Sequence, residues 1–263
     1  MKIVVCIKQV PGTTEVKMNP ATNTLIREGI PNVVNPFDLY AVEEALRLKE
    51  RFGGSVVAVC MGPGSATEQL KETVELGVDE VYLISNRAFA GSDTLATSYT
   101  LSKAIEKIGD VDLVICGKQA IDGDTAQVGP EIAENLNWPH VTYVRKVNDV
   151  TPDAITVERM TDDGYERLEI KLPALLTVVK EINEPRLPSI KGKMRAKKIE
   201  VSVWGPDDLG VDPSRIGLNG SPTQVWKTFI PDHHVEAEMF EGDVSEQVKA
   251  LVRRLVEKNI ISV

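Results

Sequence analysis

Residues 112–131 read Asp112-Leu113-Val114-Ile115-Cys116-Gly117-Lys118-Gln119-Ala120-Ile121-Asp122-Gly123-Asp124-Thr125-Ala126-Gln127-Val128-Gly129-Pro130-Glu131. The apolar start of this stretch predicts a strand that is buried on both faces, as in a parallel sheet covered by helices. A loop of small and polar residues follows, and a helical pattern begins within it. A buried strand, a loop and a helix in this order form the repeating unit of α/β domains.

The same alternation of strands and helices extends through the first two-thirds of the chain. Strands are predicted at residues 2–8, 55–61, 80–85, 112–117 and 174–179, and helices at 37–51, 66–76, 94–108 and 125–136. This order predicts an α/β doubly wound domain with a mainly parallel sheet. Turn residues predict two additional hairpins, one around Thr22-Asn23 and one around Asp162-Asp163-Gly164.

Three helix starts carry capping signals. Asn35 precedes Pro36, which is favoured at the first helical position, and residues 65–68 have the pattern of a capping box. Ser92-Asp93-Thr94 offers capping oxygens to the next helix.

The pattern changes after residue 182, so we predict a nucleotide-binding domain at 1–182 and a C-terminal arm at 183–263. Residues 183–198 contain two prolines and six basic residues, and residues 205–220 are again rich in Pro, Gly and Asp. Only residues 245–258 return to a helical pattern. Because this segment has too few periodic apolar residues for a core of its own, we expect it to pack on another subunit.

Composition excludes several classes of protein. The 263-residue chain has a formal net charge of −9, which argues against nucleic acid as a general partner. Its apolar runs are too short for a membrane span, and its amino terminus is too short for a signal-peptide core. Three cysteines without a Cys-x-x-Cys spacing suit a reducing compartment, so we expect a cytoplasmic protein. With three histidines in the chain, we predict no metal site.

Ligands of open parallel sheets bind beyond the carboxyl ends of the strands, and here those ends carry glycines. The sharpest candidate is the loop at residues 117–131, where free N–H groups and the helix dipole favour phosphate. It is neither a Gly-x-Gly-x-x-Gly fingerprint nor a P-loop. Asp122 and Asp124 are interpreted as helix caps or as acceptors for ribose hydroxyls, with the N–H groups of residues 123–129 facing a pyrophosphate.

The basic run at residues 191–198 has two readings. It is either a solvated surface or, together with the apolar Ile190, a reversible docking site for an acidic partner.

Over essentially its whole length the chain resembles the β subunit of electron-transfer flavoproteins. The resemblance rests on spaced motifs in the same order, which are Cys6-Ile7-Lys8-Gln9-Val10, Asn35-Pro36-Phe37-Asp38, Ala41-Val42-Glu43-Glu44-Ala45, Met61-Gly62-Pro63, Gly117-Lys118-Gln119-Ala120-Ile121-Asp122, Leu172-Pro173-Ala174, Asn183-Glu184-Pro185-Arg186 and Met194-Arg195-Ala196-Lys197-Lys198.

The resemblance implies an adenine-nucleotide α-hydrolase-like fold and a heterodimer whose α subunit carries the main FAD. In simple members of the family the β site holds a structural AMP. In the electron-bifurcating branch it holds a second FAD that accepts a hydride from NADH. One electron then goes to ferredoxin and the other, through the α-subunit FAD, to a partner flavin dehydrogenase such as an acyl-CoA dehydrogenase.

Two segments favour the bifurcating branch and therefore FAD over AMP. Residues 123–131 resemble the bifurcating and nitrogen-fixation forms, whereas simple members carry further acidic residues and a bulkier segment there. Residues 92–97 resemble the segment that those forms place near the isoalloxazine ring.

The resemblance also assigns site residues, and no catalytic side chain, because the cofactor supplies the chemistry. The pyrophosphate is expected on residues 120–131. The dehydrogenase-recognition loop is expected at residues 186–198, with its anchoring leucine replaced by Ile190. The remaining assignments are Cys6, Asn35, Pro36, Phe37, Asp38 and Met61 for adenine and ribose, Asp93, Thr94 and Thr97 for the flavin, and Ile190, Lys191, Lys193 and Met194 for docking.

Two alternatives remain open at this point. One is a non-bifurcating electron shuttle that binds AMP, and the other is a stand-alone adenine-nucleotide-binding or hydrolysing protein that acts without an α subunit.

Overall fold

The computed structural model describes residues 1–12, 17–19, 24–26, 31–227 and 237–262. Two compact units make up the chain, Met1–Trp226 and Lys227–Val263. Within the described part, none of the helices combines the length and apolar character that crossing a bilayer requires.

A nine-stranded sheet forms the centre of the first unit. Its strand order is β11-β10-β9-β12-β8-β1-β6-β7-β13. All neighbours pair in parallel except β9 with β10 and β10 with β11. The strands are β1 (Lys2–Ile7), β6 (Ser55–Met61), β7 (Glu80–Ile84), β8 (Leu113–Gly117), β9 (His140–Val150), β10 (Ala154–Thr161), β11 (Gly164–Lys171), β12 (Ala174–Val178) and β13 (Ser202–Trp204).

Two short antiparallel pairs lie outside this sheet. One joins β2 (Gln9–Pro11) to β5 (Asn32–Val34), and the other joins β3 (Lys17–Asn19) to β4 (Thr24–Ile26). The pair of β3 and β4 agrees with the hairpin predicted around Thr22-Asn23, although that turn itself lies outside the described residues.

Helices cover the sheet on both sides, and each side has its own apolar core. One core includes residues of α1 (Pro36–Phe52) and α2 (Thr67–Leu76). The other includes residues of α3 (Thr94–Ile108) and α4 (Val128–Leu136). The central strands carry buried side chains toward both cores, as in β8, where all five residues are buried. The prediction of a doubly wound, mainly parallel α/β fold is therefore confirmed.

Several predicted details differ from the structure. The fourth helix begins at Val128 rather than residue 125, because Asp124 and Ala126 have φ values of 54° that are incompatible with a right-handed helix. Ala66 occupies the N-cap position of α2, while the hydroxyl of Ser65 donates to Gln9, so the predicted capping box is wrong. The long strand β9 was not predicted.

Residues 183–226 belong to the first unit. In this segment β13 pairs with β7 at the sheet edge, and two further helices form, α5 (Ile190–Ala196) and α6 (Pro206–Leu209). The role of the chain from residue 183 onward as an arm for a partner subunit stays a prediction.

The second unit contains α7 (Val244–Glu257). Asp243 caps this helix by accepting from the N–H of Glu246, whose side chain accepts in return from the N–H of Asp243. Arg254 donates to Glu238 and to Glu257. The apolar side chains of α7 are partly or largely exposed, as at Val248, where the exposed fraction is 54%.

Candidate nucleotide-binding site

The connections of the sheet change direction between β1 and β8. The chain leaves β1 toward α1 on one face, and it leaves β8 toward α4 on the other. Ligands of open α/β sheets bind at such a point, outside the carboxyl ends of the two strands. We call this region the carboxyl-edge site. It comprises the residues that follow β1 and β8 and the first turns of α1, α3 and α4.

The side chain of Asp38 is buried in the first turn of α1, next to the ends of β1 and β8. Its Oδ2 accepts from the N–H of Lys8 at 2.8 Å, and its carboxylate also interacts with the N–H of Gly117. Burial raises the pKa of Asp38 to about 7, against the opposing effect of hydrogen bonds from Asn35, Lys8 and Gly117. One carboxyl group therefore joins the ends of β1 and β8.

Gly117 is required by this arrangement. A Cβ atom at this position would lie 2.4 Å from Oδ1 of Asp38 and 2.6 Å from the carbonyl carbon of Phe37. A side chain on residue 117 would therefore separate α1 from the end of β8.

Asn35 connects α1 to the loop after β8. Its Nδ2 donates to the carbonyl oxygen of Gln119 at 2.8 Å, and its Oδ1 accepts from the N–H of Ile121 at 3.1 Å. Asn35 occupies the predicted N-cap position before Pro36, but its side chain does not cap the helix, because the amide serves a loop that is more than 80 residues away in the chain.

The loop backbone alternates in handedness before α4. Both Asp124 and Ala126 have φ values of 54°, and Gln127 returns to −98°. Such alternation turns successive N–H groups toward one side and forms anion-binding concavities. A left-handed conformation costs a residue with a Cβ atom roughly 1–2 kcal/mol, and strain of this kind is concentrated at functional sites.

Several N–H groups of the loop are free to bind an anion. Among the described residues, no acceptor bonds the N–H groups of Gly123, Thr125, Ala126, Gln127, Val128 and Gly129. The last two belong to the first turn of α4, where the helix dipole also favours negative charge. The predicted phosphate-binding role of this loop is therefore chemically feasible.

The two aspartates of the loop bind other side chains of this chain. Oδ1 of Asp122 lies 2.7 Å from the ammonium group of Lys8, and Oδ1 of Asp124 accepts from the side-chain amide of Gln119. Gln127 occupies the N-cap position of α4. The interpretation of the aspartates as helix caps is wrong, and a contact with ribose hydroxyls stays a prediction.

The predicted flavin segment forms the start of α3. Asp93 caps this helix, since its Oδ1 accepts from the N–H of Ala96 at 3.1 Å. Its Oδ2 accepts from both the N–H and the hydroxyl of Thr223. Burial alone would raise the pKa of Asp93, but these hydrogen bonds lower it below the ordinary value. The hydroxyl of Thr94 donates to Oε1 of Glu131 at 3.1 Å, so α3 contacts the residue that ends the loop.

The cysteines at this edge are free and buried, as in Cys6 on β1, Cys60 on β6 and Cys116 on β8. Burial raises the pKa of the Cys60 thiol to about 12, and a hydrogen bond with Cys6 together with burial raises the pKa of Cys116. Such thiols are poor nucleophiles. Met61 ends β6 and packs against the core that includes α3 and α4.

The segment predicted to dock a dehydrogenase is held against α1 and α2. Arg186 donates to Glu43 at 2.8 Å and lies 2.5 Å from Glu50. A Cβ atom on Gly192 would lie 1.9 Å from the carbonyl oxygen of Glu75, so α5 approaches α2 very closely. Ile190 and Met194 remain exposed, by 83% and 60%.

Some residues of the carboxyl-edge site and of the segment predicted to dock a dehydrogenase were not singled out from the sequence. Lys8 pairs with a residue 114 positions away, which no local pattern reveals. The ammonium group of Lys118 lies 5.3 Å from the ring centroid of Phe37 and 5.5 Å from that of Tyr143. Leu187, next to Arg186, is 88% exposed. Leu187 itself was not predicted to dock, whereas Ile190, Lys191, Lys193 and Met194 of the same segment were.

Two cavities of about 350 and 360 Å³ are lined by residues outside the carboxyl-edge site, the second of them beyond the carboxyl end of β7. The first is lined by residues at the amino ends of the strands, including Met1, Asp112 and Leu172. The second lies between residues 87–90 and 213–219. The carboxyl-edge site is favoured over both by its free N–H groups and buried carboxyl group, because volume alone supplies no recognition.

Known proteins are similar in sequence to this chain over nearly its whole length. Residues 22–209 match the family model of the electron transfer flavoprotein domain. The electron transfer flavoprotein subunit beta of Thermoanaerobacterium thermosaccharolyticum is 53% identical over 262 residues, which cover 99% of this chain and 100% of that protein.

The chain belongs to the electron-transfer flavoprotein family. Subunit CarD of the caffeyl-CoA reductase-Etf complex of Acetobacterium woodii is 50% identical over 99% of this chain and 100% of its own length. The FixA protein of Azotobacter vinelandii is 47% identical over 94% of this chain and 90% of its own length. The similarity to electron-transfer flavoprotein β subunits that the sequence motifs indicated is therefore confirmed, and the general function is electron transfer.

Proposed function

We propose that this chain is the FAD-binding β subunit of a heterodimeric, electron-bifurcating electron-transfer flavoprotein. In this proposal the heterodimer oxidises NADH. It delivers one electron to ferredoxin and the other, through the FAD of the α subunit, to a flavin dehydrogenase such as an acyl-CoA dehydrogenase. The observation that carries the proposal is the similarity over nearly the whole chain to a family of flavoprotein β subunits.

The residues of the carboxyl-edge site fit a dinucleotide. Free N–H groups of the loop and of the first turn of α4 would bind a pyrophosphate. The backbone of Gly123 is open, since the nearest atom to a Cβ built there is Nζ of Lys8 at 3.9 Å. Beyond the loop, hydroxyl groups at the start of α3 offer hydrogen bonds to the remainder of the ligand. Bound FAD would supply the redox chemistry, while the protein positions it and excludes competing acceptors.

The α subunit and the dehydrogenase are the proposed protein partners. The helix α5 exposes Ile190, Lys191, Lys193 and Met194. Its position is fixed by the close approach of Gly192 to α2 and by Arg186, which precedes the helix and donates to Glu43 of α1. An apolar tip surrounded by positive charge suits a reversible contact with an acidic surface. Leu187 is as exposed as Ile190 and adds to this tip.

The second unit is proposed to contact the α subunit. Val248, Leu251, Val252 and Val256 recur at helical spacing on α7 and are exposed by 38% to 54%. An amphipathic helix of this kind gains stability mainly from burial of its apolar face, which a partner subunit would supply.

The cofactor count tests the proposed function. The chain is purified with its α subunit, the complex is denatured, and FAD and AMP in the supernatant are quantified against protein. We expect two FAD and no AMP per heterodimer. One FAD with one AMP would overturn the proposal and favour a non-bifurcating shuttle. Ferredoxin reduction by NADH that depends on the partner dehydrogenase provides an independent second measurement.

A further inference from the structure

The first turns of α3 and α4 are joined by hydrogen bonds between side chains. Thr94, the first residue of α3, donates to Oε1 of Glu131 at 3.1 Å. One turn further along, Nδ2 of Asn135 donates to the hydroxyl of Ser98 at 3.3 Å and to the carbonyl oxygen of Glu131 at 2.8 Å. The two helices therefore start from the carboxyl edge at a spacing that these polar groups fix.

Glu131 is in an unusual position for a carboxyl group. Its Oε2 is shielded from solvent and has no hydrogen-bond partner among the residues that the structure describes. Burial raises its pKa against the lowering effect of the Thr94 and Ser98 hydroxyls, and the nearby charge of Asp93 acts in the same direction as burial. A buried polar atom without a partner is unfavourable, so its presence calls for an explanation.

Glu131 lies between two regions of the protein that a dinucleotide would contact in the proposed function. The free N–H groups that would bind a phosphate lie before it, at residues 123–129, and the start of α3 lies across from it. A mononucleotide ends at its phosphate and would not extend past the loop toward α3. A dinucleotide extends beyond the phosphates and would also depend on how α3 is held relative to α4.

We propose that Glu131 is a positioning residue that determines ligand specificity: by holding the start of α3 to the start of α4, it makes the carboxyl-edge site retain FAD rather than AMP. This inference rests on the proposed function, in which the ligand is a dinucleotide. It assigns to Glu131 a role in the choice of ligand, which differs from a contact with the pyrophosphate.

Four variants of the intact heterodimer test the inference. Glu131→Leu removes the clamp, Glu131→Gln keeps an acceptor for Thr94, and Thr94→Val removes the donor. Glu134→Leu is the matched control, because Glu134 lies on the same helix and is exposed. Each complex is stripped of nucleotide, its folding is verified by thermal unfolding, and its affinities for FAD and for AMP are measured separately by titration calorimetry.

We expect Glu131→Leu and Thr94→Val to weaken FAD binding by about tenfold, the effect of one lost hydrogen bond, and AMP binding by less than about threefold. Glu131→Gln should restore FAD binding to within about threefold of the wild type. Equal losses for both ligands, or unchanged FAD affinity in Glu131→Leu, would overturn the inference.

The proposed function fails in a different way. If the wild-type heterodimer contains AMP and a single FAD, the dinucleotide assignment itself is wrong. If the wild type contains two FAD and Glu131→Leu retains both with unchanged affinity, only the role of Glu131 is wrong.

Discussion

The ammonium group of Lys8 lies 2.7 Å from Oδ1 of Asp122, so a single ion pair connects the residue after β1 to the loop after β8. These side chains are 47% and 33% exposed. A pair at this exposure contributes about 0–1 kcal/mol to stability, so its position matters more than its strength. Because Lys8 is next to Gly123 and to the free N–H groups of the loop, an anionic ligand would compete with Asp122 for the ammonium group.

We therefore expect opposite effects from the two halves of this pair. Asp122→Asn should increase the affinity for FAD several-fold, because Lys8 becomes available to the phosphates. Lys8→Met should decrease it by about tenfold, because a charge-assisted contact is lost and Asp122 remains unpaired. Affinities are measured by titration of nucleotide-depleted heterodimer at two salt concentrations. Lys103→Met, which breaks an exposed pair with Glu106 on α3, is the control. Equal losses in both variants would mean that the ion pair only shapes the loop.

The pKa of Asp38 predicts a specific pH dependence of stability. Burial raises this pKa from 3.8 to about 7 in the folded protein. Below about pH 4 the carboxyl group is protonated in both states, and its contribution to stability is fully present. Between pH 4 and pH 7 the unfolded chain releases the proton while the folded protein retains it. Stability therefore falls with rising pH across this window, by an amount on the order of a few kcal/mol.

Asp38→Asn isolates this effect from other carboxyl groups, such as Glu43, whose pKa is lowered by Arg186 despite its burial. The difference in unfolding free energy between wild type and Asp38→Asn should change in favour of the variant as the pH rises from 4 to 7. Chemical denaturation at several pH values measures this difference. Carbon-13 NMR of labelled aspartate measures the pKa directly, and a value near 4 would contradict the prediction.

Two glycines of the same region should respond differently to an added methyl group, one by a loss of stability and the other by a loss of bound nucleotide. Gly117→Ala places a Cβ atom 2.4 Å from Oδ1 of Asp38 and next to the backbone of Phe37, so we expect a loss of about 1–3 kcal/mol of stability. Gly123→Ala meets open space and should change stability by less than about 0.5 kcal/mol. The second variant, and more strongly Gly123→Val, should weaken nucleotide retention, because the ligand can no longer approach the backbone. Thermal unfolding and the cofactor count distinguish the two effects. Full retention of nucleotide by Gly123→Val would remove this glycine from the site.

The fold could be derived from the sequence because its main signals are local. The run of Val and Ile at residues 2–8 identifies β1, and the cap at Asp93 identifies the start of α3 at Thr94. β9 escaped detection because its polar and apolar residues alternate irregularly around Tyr143, which has a φ of 59°. The contacts of the site could not be derived from the sequence, for a different reason. Asn35 carries a capping signal, yet its amide is used by Gln119 and Ile121, and only the folded chain brings these residues together.

The exposed face of α7 should be required for assembly with the α subunit. Leu251→Asn and Val252→Asn place amides where apolar contact is expected, and each should weaken heterodimer formation by about tenfold or more. Arg253→Asn is the matched control, because this exposed residue lies on the opposite side of the helix. Co-purification and sedimentation of the tagged complex measure assembly. Normal assembly of both apolar variants would contradict a role for α7 in the interface.

The exposed tip of the recognition segment should control electron delivery without affecting cofactor binding. Ile190→Ala and Leu187→Ala remove apolar surface that is more than 80% exposed, so they should leave stability and bound flavin unchanged. The rate of electron transfer to the partner dehydrogenase should fall about tenfold, as expected when an apolar anchor is truncated. Gly192→Val provides a contrasting variant, because its side chain would collide with the carbonyl oxygen of Glu75 and displace α5 from α2. It should slow transfer to the dehydrogenase and also lower the unfolding temperature. Stopped-flow reduction of the dehydrogenase flavin measures the rate, and unchanged rates in Ile190→Ala and Leu187→Ala would mean that the dehydrogenase docks elsewhere.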